Sequence, residues 1–211
     1  MTITNKDLKR RIIDISYKHK LSHIGSCLTA VDIIKEIYDI KKPDEKFVND
    51  AGHSGIALYT VLEYNGGRDA EEIFLHHGIH PDRCKECNLD CSTGSLGQGI
   101  AIATGMALAN RNKNVFCLVS DGGANEGSFW ESLRVAKENN LFNLKIYLNA
   151  NSWGAYGYIN TDYLEQRIKS FGFPVEFRRT NVDYFPFLGG QEAHYISLTE
   201  ETYKEAMRIL K

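Results

Sequence analysis

Two apolar runs, residues 115–119 and 144–148, each give way to a polar side chain, Asp121 after the first and Asn151 after the second. Between them, residues 127–139 carry Phe129, Trp130, Leu133 and Ala136 at helical spacing. A strand, a helix and a second strand in that order form a right-handed βαβ unit, so the strands are expected to be parallel, with their carboxyl ends on one edge. That geometry brings a carboxylate and a carboxamide side by side as hard oxygen ligands of the kind Mg²⁺ or Ca²⁺ prefers. Gly122, Gly123 and Gly127 leave room for an anion at the start of the helix, where backbone N–H groups and the dipole favour negative charge. The stretch SDGGANEG…NAN therefore reads as a metal–diphosphate cradle.

The rest of the chain supports an α/β domain. Residues 5–19 read as a helix capped by Asn5, and Thr29 with Asp32 reads as a capping box opening a second helix. Further helices are expected from Ser54 to Gly66, over 69–77, over 97–111, near 163–171 and from Thr199 to Leu210, with a strand over 175–179. No repeat, low-complexity segment or proline-rich linker interrupts the pattern, and 211 residues with 43% apolar content make one domain, 1–211, with a sizeable core. A net charge of −2 argues against nucleic-acid or membrane-surface binding. The amphipathic start MTITNKDLKRRIIDI lacks the apolar core of a signal peptide, so the chain is expected to be cytoplasmic.

Of the five cysteines, Cys27 and Cys117 read as buried small hydrophobes. Cys84, Cys87 and Cys91 lie in HPDRCKECNLDC, close behind His80. Thiolates at CxxC spacing can wrap a soft ion, but structural zinc usually draws on two such knuckles and this chain has one. The expectation is reduced thiols without metal. Any zinc there would be expected to take His80 as a ligand. His19, His76, His77 and His194 read as ordinary surface or core residues.

The run SDGGANEGSFWESLRVAKENNLFNLKIYLNANSWGAYG resembles the thiamine-diphosphate signature, GDG and then N about thirty residues on, in its transketolase version. LSHIGSCLTAVDIIKEIYD, EKFVNDAGHSGIALYTVLE and the loop GSLGQG at residues 94–99 are similar to further transketolase segments, and EAHYISLTEETYKEAMRIL looks like the closing helix. The resemblance implies thiamine diphosphate with Mg²⁺ or Ca²⁺ held by Asp121, Asn151 and the backbone carbonyl of Trp153. It places His23, His53 and His80 on the active-site histidines, the first two also against the cofactor. Glu126 falls on a cofactor-proximal acid, and Glu131 on a second acidic position. Gly94 and Leu96 would line the aminopyrimidine, with Gly122 and Gly123 at the diphosphate. Histidine suits proton traffic on a polyhydroxy substrate at neutral pH. Ser120 departs from the usual glycine.

The resemblance covers the diphosphate-binding domain alone, and about thirty residues after Gly157 replace a longer stretch of the family. It implies the N-terminal subunit of a split transketolase. Such a subunit would act in a heterotetramer with a separately encoded pyrimidine-domain subunit, moving a two-carbon ketol unit between sugars or sugar phosphates. Residues 94–110 and 153–158 are the expected contact face. The alternatives are a subunit of another thiamine enzyme, of the 2-oxo-acid dehydrogenase E1 or deoxyxylulose-phosphate synthase type, or a non-catalytic module that binds a partner.

Overall fold

The computed structural model describes residues 4–211; the first three residues of the amphipathic start lie outside it. A four-stranded parallel sheet runs β1 (Lys46–Asn49), β2 (Val115–Ser120), β3 (Leu144–Ala150) and β6 (Val175–Arg179), in that spatial order. The parallel register of β2 on β3 pairs Val115 with Leu144 and Ser120 with Asn149, as the βαβ reading requires. A small antiparallel hairpin, β4 (Trp153–Gly154) and β5 (Gly157–Tyr158), stands off the end of β3.

Side chains alternate across a strand, so each strand feeds two cores. Phe47, Phe116, Leu118 and Tyr147 point to one face, where they meet α1 (Asn5–Lys18), α2 (Ile24–Ile40), α3 (Gly55–Tyr64), α4 (Ala70–His77) and α8 (Glu200–Ile209). Val48, Val115, Cys117, Val119, Ile146 and Leu148 point to the other, against α5 (Gln98–Ala109), α6 (Gly127–Glu138) and α7 (Thr161–Phe171). Burial on both faces explains why residues 115–119 are uninterruptedly apolar. No helix among the described residues is long and apolar enough to cross a membrane.

Two expectations need correction, and one strand was not foreseen. The first helix is capped by Thr4, in a capping box with Asp7, and Asn5 is its first residue. The second helix begins at Ile24, behind a left-handed His23, so Thr29 and Asp32 lie inside it. There Thr29 Oγ1 donates back to the carbonyls of Gly25 and Ser26 and accepts from Asn149, while Asp32 pairs with Lys9. Those tertiary partners use the side chains that local pattern assigned to a cap. Strand β1 had no sequence signal of its own. Its apolar content is Phe47 and Val48, too short a run to be read without the neighbouring β2.

Candidate functional site

All four strands of the sheet end on the same edge, and a cleft opens there. One wall consists of Ser120, Asp121, Gly122, Asn151 and Trp153; the opposite wall carries His23, His53, His80 and His194. Gly94 and Leu96 close one end.

Asp121 is wholly buried, and among the described residues no cationic side chain pairs with it. Its Oδ1 accepts from the Gly122 N–H at 3.0 Å and its Oδ2 from the Ser152 N–H at 2.6 Å. Burial outweighs these bonds and pushes the carboxyl up to about 6. Beside it, at the end of the neighbouring strand, Asn151 Oδ1 accepts from the Trp153 N–H at 2.9 Å. Each of these oxygens keeps a second lone pair. A buried carboxylate with no counter-ion, next to a carboxamide, matches the donor set of a hard divalent cation.

The backbone around this wall is fixed by short contacts. A Cβ on Gly123 would sit 2.7 Å from Asp50 Oδ2, so only glycine fits the turn after Asp121. Ser120 helps to hold that turn, its Oγ accepting from the Gly123 N–H at 3.0 Å. The serine that stands in place of the usual glycine therefore closes the loop. Asp50, at the end of β1, is buried too; it accepts from the N–H groups of Gly97 and Ile100 and so ties the GSLG loop and the start of α5 to the sheet edge.

The imidazole wall is assembled from four separate segments. The rings of His23 and His53 lie 5.3 Å apart between centroids, and those of His23 and His194 lie 6.0 Å apart. His23 adopts φ +58°, in the left-handed region, and its N–H donates to the His194 carbonyl at 2.9 Å. Its Nδ1 is buried without a hydrogen-bond partner. Burial, with His194 and His80 nearby, lowers the His23 imidazole below its ordinary value. Burial and the facing histidines push His53 further, down to about 3, so both rings are neutral at physiological pH. His80 lines the rim, its ring carbons 3.5 Å from where a Gly94 Cβ would stand.

The structure separates some residues that the sequence grouped. Glu126 opens on a neighbouring cavity with Asn125, Tyr156 and Tyr158, reached across a shared wall of Leu96, Gly122 and Gly154. Gly123 lies behind the turn, buried, and does not line the cleft. Glu131 is on the outer surface of α6, paired with Arg134. His19 is satisfied by Glu71 at 2.6 Å, as a bland residue should be.

His194, expected to be bland, lines the cleft beside His23. Its signal was its place in the closing segment, but only the fold of residues 181–195 turns it inward. Those residues also replace the shortened stretch: Asn181, Val182, Asp183, Leu188 and Gly190 wall a second cavity that continues from the first past His23 and Asn151. The two arginines of β6 do not reach these cavities; Arg178 pairs with Glu36 and Glu176, and Arg179 with Asp162 and Glu165.

Comparison with known proteins identifies the family. The family model described as transketolase, thiamine diphosphate binding domain, matches residues 12–184. Transketolase-like protein 2 of Mus musculus is 31% identical over 72% of this chain and 28% of its own length. An apulose-4-phosphate transketolase subunit of Phocaeicola vulgatus is 28% identical over 79% of this chain and 68% of its own. Among solved structures, transketolase from Leishmania mexicana superposes with a TM-score of 0.78 at 19% identity, covering 100% of this chain and 42% of that one. The chain thus spans less than half of the mouse and Leishmania proteins and about two thirds of the Phocaeicola one.

Proposed function

The chain belongs to the transketolase family of thiamine-diphosphate-binding domains, and from that premise we propose that it is the diphosphate-binding subunit of a split transketolase. The observation that carries the reading is the cleft itself, in which a buried carboxylate and a carboxamide share one sheet edge with four imidazoles. In this reading Asp121, Asn151 and the Trp153 carbonyl hold Mg²⁺ or Ca²⁺. Gly122 brings backbone to the diphosphate while Gly123 holds the turn from behind, and Gly94 and Leu96 lie against the aminopyrimidine. When bound, thiamine diphosphate supplies a carbon nucleophile for a ketose carbonyl.

This chain's own residues orient and move protons. His53 and His23, kept neutral by burial, can each accept a proton at one ring nitrogen and donate from the other. The orphaned Nδ1 of His23 leaves a position for a ligand group to satisfy. His80 and His194 add hydrogen-bonding groups for sugar hydroxyls. Four imidazoles favour a polyhydroxy substrate over a small 2-oxo acid, which offers fewer hydroxyl partners. Glu126, one wall away, is assigned a proton-relay role toward the partner side.

A partner is part of the proposal. The cleft measures about 210 Å³ and its continuation past His23 about 160 Å³, together at the low end of the roughly 300–1,000 Å³ of a complete small-molecule pocket. Beside it lies an apolar surface: Ile102 and Leu108 on α5 are 39% and 38% exposed, and Tyr156 in the β4–β5 hairpin is 94% exposed. A pyrimidine-binding subunit seated there would complete the pocket, in a heterotetramer. The test is reconstitution with a separately encoded pyrimidine-domain transketolase subunit, followed by two-carbon transfer across a panel of ketose donors. Transfer that needs both chains, thiamine diphosphate and a divalent cation supports the reading; full turnover by this chain alone would overturn it.

A further inference from the structure

The cysteine loop does not arrange itself as its sequence suggests. Cys84 and Leu89 form an isolated antiparallel bridge, with N–H to carbonyl bonds of 2.9 and 2.8 Å in the two directions. The turn between them is closed by Asn88, which takes φ +57° and donates its N–H to the Lys85 carbonyl. This tight reversal brings the two thiols of Cys84-Lys85-Glu86-Cys87 together on one side. Cys91 leaves the group: its Sγ donates to the Ser92 carbonyl, and the residue packs in the core on the opposite face of the sheet.

The ring that meets the two thiols is His77, at the last position of α4, and not His80. The ligand atoms of His77, Cys84 and Cys87 all lie within 4.8 Å of one another. His77 Nε2 is buried and has no hydrogen-bond partner. A buried ring nitrogen with no hydrogen-bond partner, on an imidazole that offers a ligand atom within 4.8 Å of two sulfurs, calls for an explanation. A metal bound through His80 would compete with the active site for one imidazole. That conflict does not arise, because His80 faces the cleft while His77 faces the thiols.

We propose that His77, Cys84 and Cys87 form a site for one thiophilic divalent ion, zinc by its donor set, which staples the end of α4 to the loop that carries His80. Two sulfurs and one imidazole nitrogen suit tetrahedral zinc. On binding, the two thiols release their protons to solvent and His77 donates the lone pair of Nε2, so Zn²⁺ with two thiolates and a neutral imidazole carries no net charge. The fourth position goes to water or to Glu86, whose Oε2 lies 3.4 Å from Cys84 Sγ. The site is independent of the thiamine-diphosphate reading, and either can fail alone.

Metal analysis of the chain purified from zinc-replete medium without chelator is the test, with about one zinc per chain expected. A Cys84→Ser/Cys87→Ser double variant and His77→Ala should each lose that zinc, whereas Cys91→Ser and His80→Ala should keep it. Should the double variant fail to fold, Co²⁺ added to the chelator-stripped wild-type chain decides. Thiolate-to-cobalt charge-transfer bands with a strong tetrahedral ligand-field spectrum support the site. A chain that is purified without metal and gives no such bands overturns it. So does zinc that survives loss of both thiols or disappears with His80→Ala. A Cys84–Cys87 disulfide whose reduction creates no metal affinity also overturns it.

Discussion

The two walls of the cleft are built by different means. The carboxylate wall comes from neighbouring strand ends, with Asp121 and Asn151 set by the register of β2 on β3. The imidazole wall comes from four chain segments that share no hydrogen-bonded register: the turn before α2, the turn before α3, and the loops after α4 and β6. Their electrostatics mirror each other. Burial raises the Asp121 carboxyl to about 6 and lowers the His23 and His53 imidazoles, so near neutral pH the acid stays mostly ionised without a counter-ion while those two rings are neutral. A cation on the first wall and an anionic, hydroxyl-rich ligand against the second would each supply what burial has taken away. The lesson is that a rigid sheet edge fixes the charge-bearing ligands, while loops that can be adjusted separately carry the hydrogen-bonding groups.

The largest effect expected from breaking this contrast is at Asp121. Asp121→Ala in the assembled complex should weaken thiamine-diphosphate binding by about 100-fold or more, read by calorimetry, because it removes a charged metal ligand. Without ligand the same variant should melt no lower than wild type at pH 7.5, since a buried unpaired carboxylate does not stabilise the fold. Unchanged affinity would sink the cradle. On the other wall, His53→Ala should cut kcat by about 10²–10⁴-fold and leave cofactor affinity within a few-fold. Equal losses in both quantities would mean that the walls are not functionally distinct.

The pH dependence separates the walls further. Asp121 has a raised folded value, so its contribution to the stability of the ligand-free chain is present below about 3.8 and lost as pH rises through about 6. Divalent-cation affinity should therefore climb as pH rises to about 6 and level off above it. The histidines run the opposite way. With folded values below 6.5, His23 and His53 leave stability intact above 6.5 and erode it as pH falls below that point. Cation titrations and thermal melts across pH 4–8 test both signs. The smallest effect is at Ser120: Ser120→Gly removes one hydrogen bond to the Gly123 N–H and should lower stability by about 0.5–1.5 kcal/mol, measured by denaturant unfolding.

The same contrast governs what could be read in advance. Asp121, Asn151 and the helix between them lie in one continuous stretch whose periodicity is local, so the βαβ unit and its paired oxygens were legible from the residues alone. The histidines became legible only through resemblance, and His194 was missed because its side of the cleft depends on how residues 181–195 pack. The cap assigned to Thr29 failed for a similar reason, since its hydroxyl is committed to Asn149, 120 residues away. Spacing made His80 the imidazole expected near Cys84 and Cys87, whereas the end of α4 and the Asn88 turn bring His77 to the sulfurs instead.

The packing of α8 on α1 has a consequence for the order in which the molecule forms. Tyr203 stacks on Tyr17 at 4.3 Å and donates its hydroxyl to Asp14 at 2.8 Å, while Arg10 donates to the Leu210 carbonyl. These contacts join residues almost the full described length apart. Contacts of such wide sequence separation lose the most loop entropy on closing and slow the search for the native state. During synthesis the α1 surface that α8 covers stays open until nearly all the residues described here have left the ribosome. Docking of α8 is thus among the last contacts to be locked, and variants that weaken the Tyr17–Tyr203 stack should show it as a faster unfolding rate with little change in refolding.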